Sequence, residues 1–212
     1  MKVRTNERRE AIVEAAALLF QEMGYERASM NELAKRLGGS KATLYGYFPS
    51  KEELFTAVVR AYATQHLSEA AVELMTEERP DEPLRDKLTR FGERMLAVLT
   101  NDSSAIAVYR MVIGEAGHSD IGVLFNDSGP RESIEKLSGL MASAMDRGEL
   151  RPGDSHVKAL QFTSLLTAEI QYRTFQRHLE PVSLTRIQQM VNCAVNLFLT
   201  GAAPFPPAES ND

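Results

Sequence analysis

Apolar residues recur at spacings of three and four along nearly the whole chain, and no segment alternates long enough to build a sheet. That periodicity predicts an all-α fold. The first predicted helix covers about 7–23, with Ile12, Ala15, Ala16, Leu19 and Phe20 as its inward stripe, and Gly24 stands where a left-handed cap ends a helix. Ser29 with Glu32 three residues on reads as a capping box opening a second helix, whose inward residues are Leu33 and Leu37 and whose end is Gly38-Gly39. Ser40 caps a third helix to about Tyr47, and Pro49 stops it. Ser50 and Glu53 form another capping box, opening a fourth helix that keeps phase through Leu54, Val58 and Ala61 to about Met75.

A charged segment holding Pro80, 77–82, reads as a connection. Longer helices follow at about 83–99, 104–115, 120–147 (kinked or broken at Gly129-Pro130), 154–178 (capped by Asp154) and 183–200. The Pro-rich acidic tail, 202–212, reads as disordered. The pattern thus gives a small head of short capped helices, 1–52, and a body of longer ones, 53–201; a single bundle without a distinct head is the plainer alternative.

Composition narrows the picture. With 43% hydrophobic and 25% charged residues over 212 positions, the chain reads as soluble and globular. No stretch approaches the roughly 18 apolar residues of a membrane span. The basic start carries no apolar signal core, and the single Cys193 fits a reducing compartment, so a cytoplasmic setting is expected. Net charge is −5, yet residues 1–51 carry +3 and the rest −8, so only the N-terminal quarter suits a phosphate backbone.

The stretch SKATLYGYFPSKEELF, 40–55, carries most of the functional information. On a wheel of about 100° per residue, Leu44 and Phe48 face a core with Leu33, Leu37 and Phe20. Ala42, Thr43 and Gly46 then point outward, flanked by Tyr45 and Tyr47. Small residues let such a helix approach base edges. Thr43 suits a phosphate or a thymine methyl, while the tyrosine hydroxyls, Lys41 and, at the next helix start, Lys51 suit phosphates. Two helices joined by a tight Gly-containing turn match a helix-turn-helix.

The span AAALLFQEMGYERASMNELAKRLGGSKATLYGYFPSKEELF resembles the N-terminal domain of the TetR family of bacterial transcriptional regulators. The resemblance implies DNA contacts at Ser40, Lys41, Ala42, Thr43, Tyr45, Tyr47 and Lys51, with Gly39 at the turn and Leu44 and Phe48 buried. Gly46 departs from the family, which usually carries an aromatic or histidine there, so one contact is missing.

One short helix reads only a few base pairs, so specific affinity calls for a homodimer on a palindromic double-stranded operator. The last two helices match the family's dimerising pair, and the expected interface is Phe162, Leu166, Ile170, Ile187, Met190, Val191, Ala194, Val195 and Phe198, with internal core as the alternative. More weakly, the segments AVYRMVIGEAG, GVLFNDSGPRESIEKL and DRGELRPGD resemble the AefR-like C-terminal domain, which implies a sensor of a small-molecule effector. Candidate pocket residues are Met95, Leu99, Tyr109, Val112, Phe125, Met141, Met145, Phe162 and Tyr172, with ordinary core as the alternative. Glu115 and Glu169 lie in apolar helical stretches; if buried, each needs a partner such as Arg110, Arg173 or a ligand cation.

Glu115 and His118 make a single E-x-x-H, where a di-iron bundle needs two plus further carboxylates, so no metal or other cofactor is expected. Cys193 reads as an inert packing residue. No phosphate loop, zinc spacing or nucleophile elbow points to an enzyme. The expectation is a ligand-responsive DNA-binding regulator, a repressor; the alternative is an all-helical adaptor that binds no DNA.

Overall fold

The computed structural model describes residues 5–64 and 82–204, and among these it contains ten α-helices and no strand. The far end of the fourth predicted helix, most of the 77–82 connection and residues 205–212 of the tail lie outside the described residues. The helices are α1 (Asn6–Met23), α2 (Met30–Arg36), α3 (Lys41–Tyr47), α4 (Lys51–Val59), α5 (Leu84–Asn101), α6 (Ser103–Glu115), α7 (Ile121–Asp127), α8 (Pro130–Asp146), α9 (Ser155–Thr167) and α10 (Leu184–Ala202).

The chain divides into two compact units, and the division is not a simple cut along the sequence. The first unit takes Met1–Leu67 together with Asp102–Arg131; the second takes Ser68–Asn101 and Glu132–Asp212. Helices α6 and α7 therefore belong to the same compact body as α1–α4.

In the first unit α1 packs on α2, α4 and α6, and α7 packs on α4 and α6. Its inner face is Ile12, Val13, Ala16, Ala17, Leu19 and Phe20, with Ala15 at the edge rather than inside. Phe20, Tyr25 and Phe55 meet as an aromatic triad with ring centroids 5.0–5.9 Å apart. Burying each such ring contributes roughly 1.5–3 kcal/mol.

After Val59, α4 opens into a π turn, Arg60–Thr64. The wider turn shifts the helical phase, so Ala61 is exposed, against expectation, while Ala63 and Thr64 go inside. The Thr64 hydroxyl there donates to the Ser128 carbonyl at 2.9 Å.

In the second unit α10 packs along α5 and α9. At the crossing, a Cβ on Gly92 would stand 2.8 Å from Leu166 and 2.9 Å from Val191, so only glycine permits this approach of α5. The helix predicted to run to His178 stops at Thr167, and a 3₁₀ turn, Gln171–Phe175, follows. Thr163 and Thr167 donate their hydroxyls to carbonyls three and four residues back, which competes with the regular ladder and favours the tighter turn. The 120–147 segment is broken at Gly129-Pro130, with Pro130 at the first position of α8.

Candidate nucleic-acid interface

A seven-residue helix is too short to hold itself, so α3 depends on its ends and two anchors. Before it, Gly38 at φ +60° closes α2: Gly38 N–H bonds to Lys35 O and Gly39 N–H to Ala34 O, the paired bonds of a Schellman turn. Ser40 Oγ then accepts from Thr43 N–H at 3.1 Å. Leu44 and Phe48 are buried as predicted, and Arg9 lies over the Phe48 ring at 4.9 Å. Ser50 Oγ accepts from Glu53 N–H at 3.1 Å and starts α4.

This frame leaves Ser40, Lys41, Ala42, Thr43 and Tyr45 exposed, with Gly46 and Tyr47 half-buried. The Lys41 ammonium sits 5.8 Å from the Tyr45 ring centroid, so charge and ring share one edge of the helix. Ser40 Oγ and Thr43 Oγ1 are hydrogen-bonded at 2.8 Å, an internal contact that engages the Thr43 hydroxyl. Tyr47 Oη accepts from Thr5 N–H at 3.2 Å, tying the end of α3 to the start of α1. An Arg8 guanidinium nitrogen donates to Leu37 O at 3.3 Å on the same side. Sequence reasoning missed Thr5, Arg8 and Arg9 as neighbours of the reading helix; the readable signal was a cap and two arginines immediately before the apolar stripe of α1.

Lys51 is placed differently. Its ammonium is directed inward, donating to Tyr25 O at 3.0 Å and to Glu26 O and Ala28 O at 3.4 Å each, and lies 4.2 Å from the Tyr25 ring centroid. Those three acceptors match the three donors of an ammonium, so Lys51 holds the α1–α2 turn rather than presenting a free charge. Burial, then the charges of Glu52 and Glu26, push the Tyr25 hydroxyl well above the usual tyrosine range.

The effector residues fall into separate groups. Met95, Leu99, Met141, Met145 and Phe162 belong to one cluster in the second unit, with Met141 and Phe162 wholly enclosed. Tyr109 and Phe125, rings 6.0 Å apart, lie in the first unit with Val112. Three further candidates lie apart from these clusters. Tyr172 is 60% exposed on the 3₁₀ turn. Glu169 is exposed and paired with Arg186, not with Arg173. Glu115 is half-buried and accepts from Glu26 N–H at 3.1 Å, a backbone partner.

The expected interface residues lie together. Phe162, Leu166, Ile170, Ile187, Met190, Val191, Ala194, Val195 and Phe198 are all buried within one chain, as the core of the second unit. The outward apolar residues of the same helices include Val157 and Leu160, each 44% exposed, Leu184, 65% exposed, and Leu197, 59% exposed. Cys193 is exposed on α10 rather than packed. The described residues hold no group of His, Cys, Asp and Glu arranged for a metal ion, and no helix among them is long and apolar enough to cross a membrane.

Comparison with known proteins gives this geometry its context. Residues 12–58 match the model of bacterial regulatory proteins of the tetR family, and residues 86–201 match the AefR-like transcriptional repressor C-terminal domain. The chain is 24% identical over 192 residues to the transcriptional repressor ComR of Escherichia coli, spanning 90% of this chain and 88% of that one. Among solved structures it is similar to the flavonoid-responsive regulator FrrA (28% identity, TM-score 0.75, covering 95% of this chain and 100% of that one). A TetR-family regulator from Pseudomonas syringae is 30% identical with a TM-score of 0.69, covering 93% and 97%. The helix-turn-helix, its exposed face and these matches agree: the chain belongs to the TetR family, as a ligand-responsive DNA-binding transcriptional repressor with an AefR-like C-terminal domain.

Proposed function

We propose that the protein acts in the bacterial cytoplasm as a homodimer that holds a palindromic operator and releases it when a small apolar or amphipathic molecule binds the C-terminal domain. The observation that carries the DNA reading is the outer face of α3: Lys41, Ala42, Thr43 and Tyr45 exposed on a helix fixed at both ends. Ala42 and Gly46 leave its centre low enough to approach base edges, and Lys41 with Tyr45 offers phosphate contacts on one wall. With so bare a centre, the sequence-dependent shape of the duplex supports part of the specificity.

Two copies are needed because α3 spans only a few base pairs; half-sites roughly 34–36 Å apart then place both heads in successive major grooves. The surface that suits self-association is the outward side of α9 and α10, with Val157, Leu160 and Leu197. An aromatic, amphipathic effector is supported by the likeness to the flavonoid-responsive FrrA and by the Met- and Phe-rich cluster of the second unit. Such a molecule shifts the protein off DNA only by binding the released state more tightly.

The test is selection of a binding site from a pool of random duplexes by the full-length protein, followed by affinity measurement against salt. A palindromic site whose affinity falls about tenfold on Tyr45→Ala or Lys41→Ala supports the reading. Failure to enrich any site, or wild-type affinity in both variants, defeats it.

A further inference from the structure

Residues 86–201 match the regulatory C-terminal domain, yet residues 102–131 fold with the DNA-reading head. Helices α6 and α7 are thus regulatory by sequence and part of the head by packing. The last residue of α6 is Glu115, an unfavourable place for a carboxylate because the C-terminal end of a helix already carries partial negative charge. A residue that breaks a local rule calls for a compensating contact.

Glu115 has such a contact. Glu115 Oε2 accepts from Glu26 N–H at 3.1 Å, and Oε1 stands only 2.2 Å from where a Cβ on Gly24 would be. Gly24, at φ +79°, leaves the gap in which the carboxylate sits. On the other side of the turn, Lys51 donates to Tyr25 O at 3.0 Å. Tyr25 C=O and Glu26 N–H are the two ends of one peptide group. Its carbonyl faces an ammonium and its N–H faces a carboxylate, so both charges align with the amide dipole and strengthen each other's bond. Lys51 is the first residue of α4, joined to α3 through Phe48, Pro49 and Ser50.

We propose that Glu115 is a positioning residue for DNA recognition, acting through the Tyr25–Glu26 peptide and Lys51 to fix the α1–α2 turn and, with it, the seating of α3. A displacement of the end of α6 pulls on one side of that peptide and loosens the clamp on the other. Segment 102–131, which lies within the match to the regulatory domain, thereby reaches the reading helix without touching DNA. This inference rests on the DNA-binding reading of the head.

The experiment uses the full-length protein and the duplex selected by the wild type. Glu115→Ala is expected to lower affinity about tenfold, and Glu115→Gln, whose amide oxygen still accepts from Glu26 N–H, to stay within about threefold of wild type. Lys51→Met should cost much less affinity in the Glu115→Ala background than in wild type, since both act through one peptide. In ¹⁵N-labelled protein without DNA, the Glu26 amide resonance should move in Glu115→Ala and, to a smaller extent, in Lys51→Met. A merely structural role of Glu115 would not restore affinity with Gln or couple the two sites. Full additivity of the two substitutions, an unmoved Glu26 resonance, or affinity of Glu115→Ala within about twofold of wild type overturns the proposal. Should Glu115→Ala fail to fold, Glu115→Met, which removes the acceptor while keeping the length of the side chain, takes its place in the cycle. A wild type that selects no duplex defeats the DNA reading and this role together, whereas the Glu26 resonance separately decides the link itself.

Discussion

Helices α3 and α10 expose opposite kinds of surface for the same physical reason. The seven residues of α3 bury only Leu44, so the helix is held by its caps, its turn and Phe48, and its outer side is free to be polar: Lys41, Thr43 and Tyr45. The nineteen residues of α10 bury seven, Ile187 through Ala202, and are held by the core. Their outer side keeps Leu184 and Leu197 in the open. A helix stabilised at its ends can match a polar duplex; one stabilised along its length can carry apolar residues outward for a second copy. Where each helix gets its stability decides what each can bind.

The strongest way to break this contrast is to remove the core that holds α10. Phe162 is fully buried, its ring 5.2 Å from that of Phe198. Phe162→Ala should cost about 3–5 kcal/mol, measured by urea unfolding, because the rigid helices around it cannot close over the gap. A loss below about 1 kcal/mol would mean that α10 is not held by this cluster.

Next in size is the outward side of α10 and its neighbour α9. Putting Glu at Leu160 and Leu197 leaves the buried residues untouched but places charge where the second copy is expected. The dimer dissociation constant should rise at least about thirtyfold in sedimentation equilibrium, the cost of trapping an unpaired charge in an apolar contact. An unaltered constant moves the interface elsewhere.

The two helices also differed in how far the sequence revealed them. The head was legible because its signals are local and redundant: Ser29, Ser40 and Ser50 each accept the N–H three residues on, Gly24 and Gly38 take positive φ, and two apolar residues leave α3 a single inward side. The outer side of α10 was not, because apolar residues on more than one side of a helix fit equally a core, a partner or both. Only packing against α5 and α9 showed that the expected interface residues are core. The inward turn of Lys51 to Tyr25 and the reach of Glu115 to Glu26 join residues 26 and 89 positions apart, and no local spacing encodes them.

A smaller effect separates the charge of α3 from its shape. Lys41→Ala should weaken binding about equally on all sequences and lower the salt slope of the affinity by about one, the mark of one lost phosphate contact. Tyr45→Ala, with no formal charge removed, should lower affinity while leaving the slope nearly unchanged. Equal slopes in both variants would place Lys41 off the phosphates.

The smallest effect tests the contrast at its root, because α3 and α10 start with the same cap. Ser40 Oγ accepts from Thr43 N–H, and Ser183 Oγ accepts from Arg186 N–H at 3.2 Å. Replacing either serine by alanine should cost about 1 kcal/mol or less of stability. The consequences for DNA should differ. In α10 the seven buried residues keep the helix in place, so Ser183→Ala should leave operator affinity unchanged. In α3 the cap secures the first turn of the reading face, and Ser40 Oγ also engages the Thr43 hydroxyl at 2.8 Å. Ser40→Ala should therefore let the start of α3 fray and release that hydroxyl, lowering affinity by about threefold to fivefold in titrations on the selected duplex. If the two variants bind alike, α3 is held by its anchors at Leu44 and Phe48 rather than by its ends.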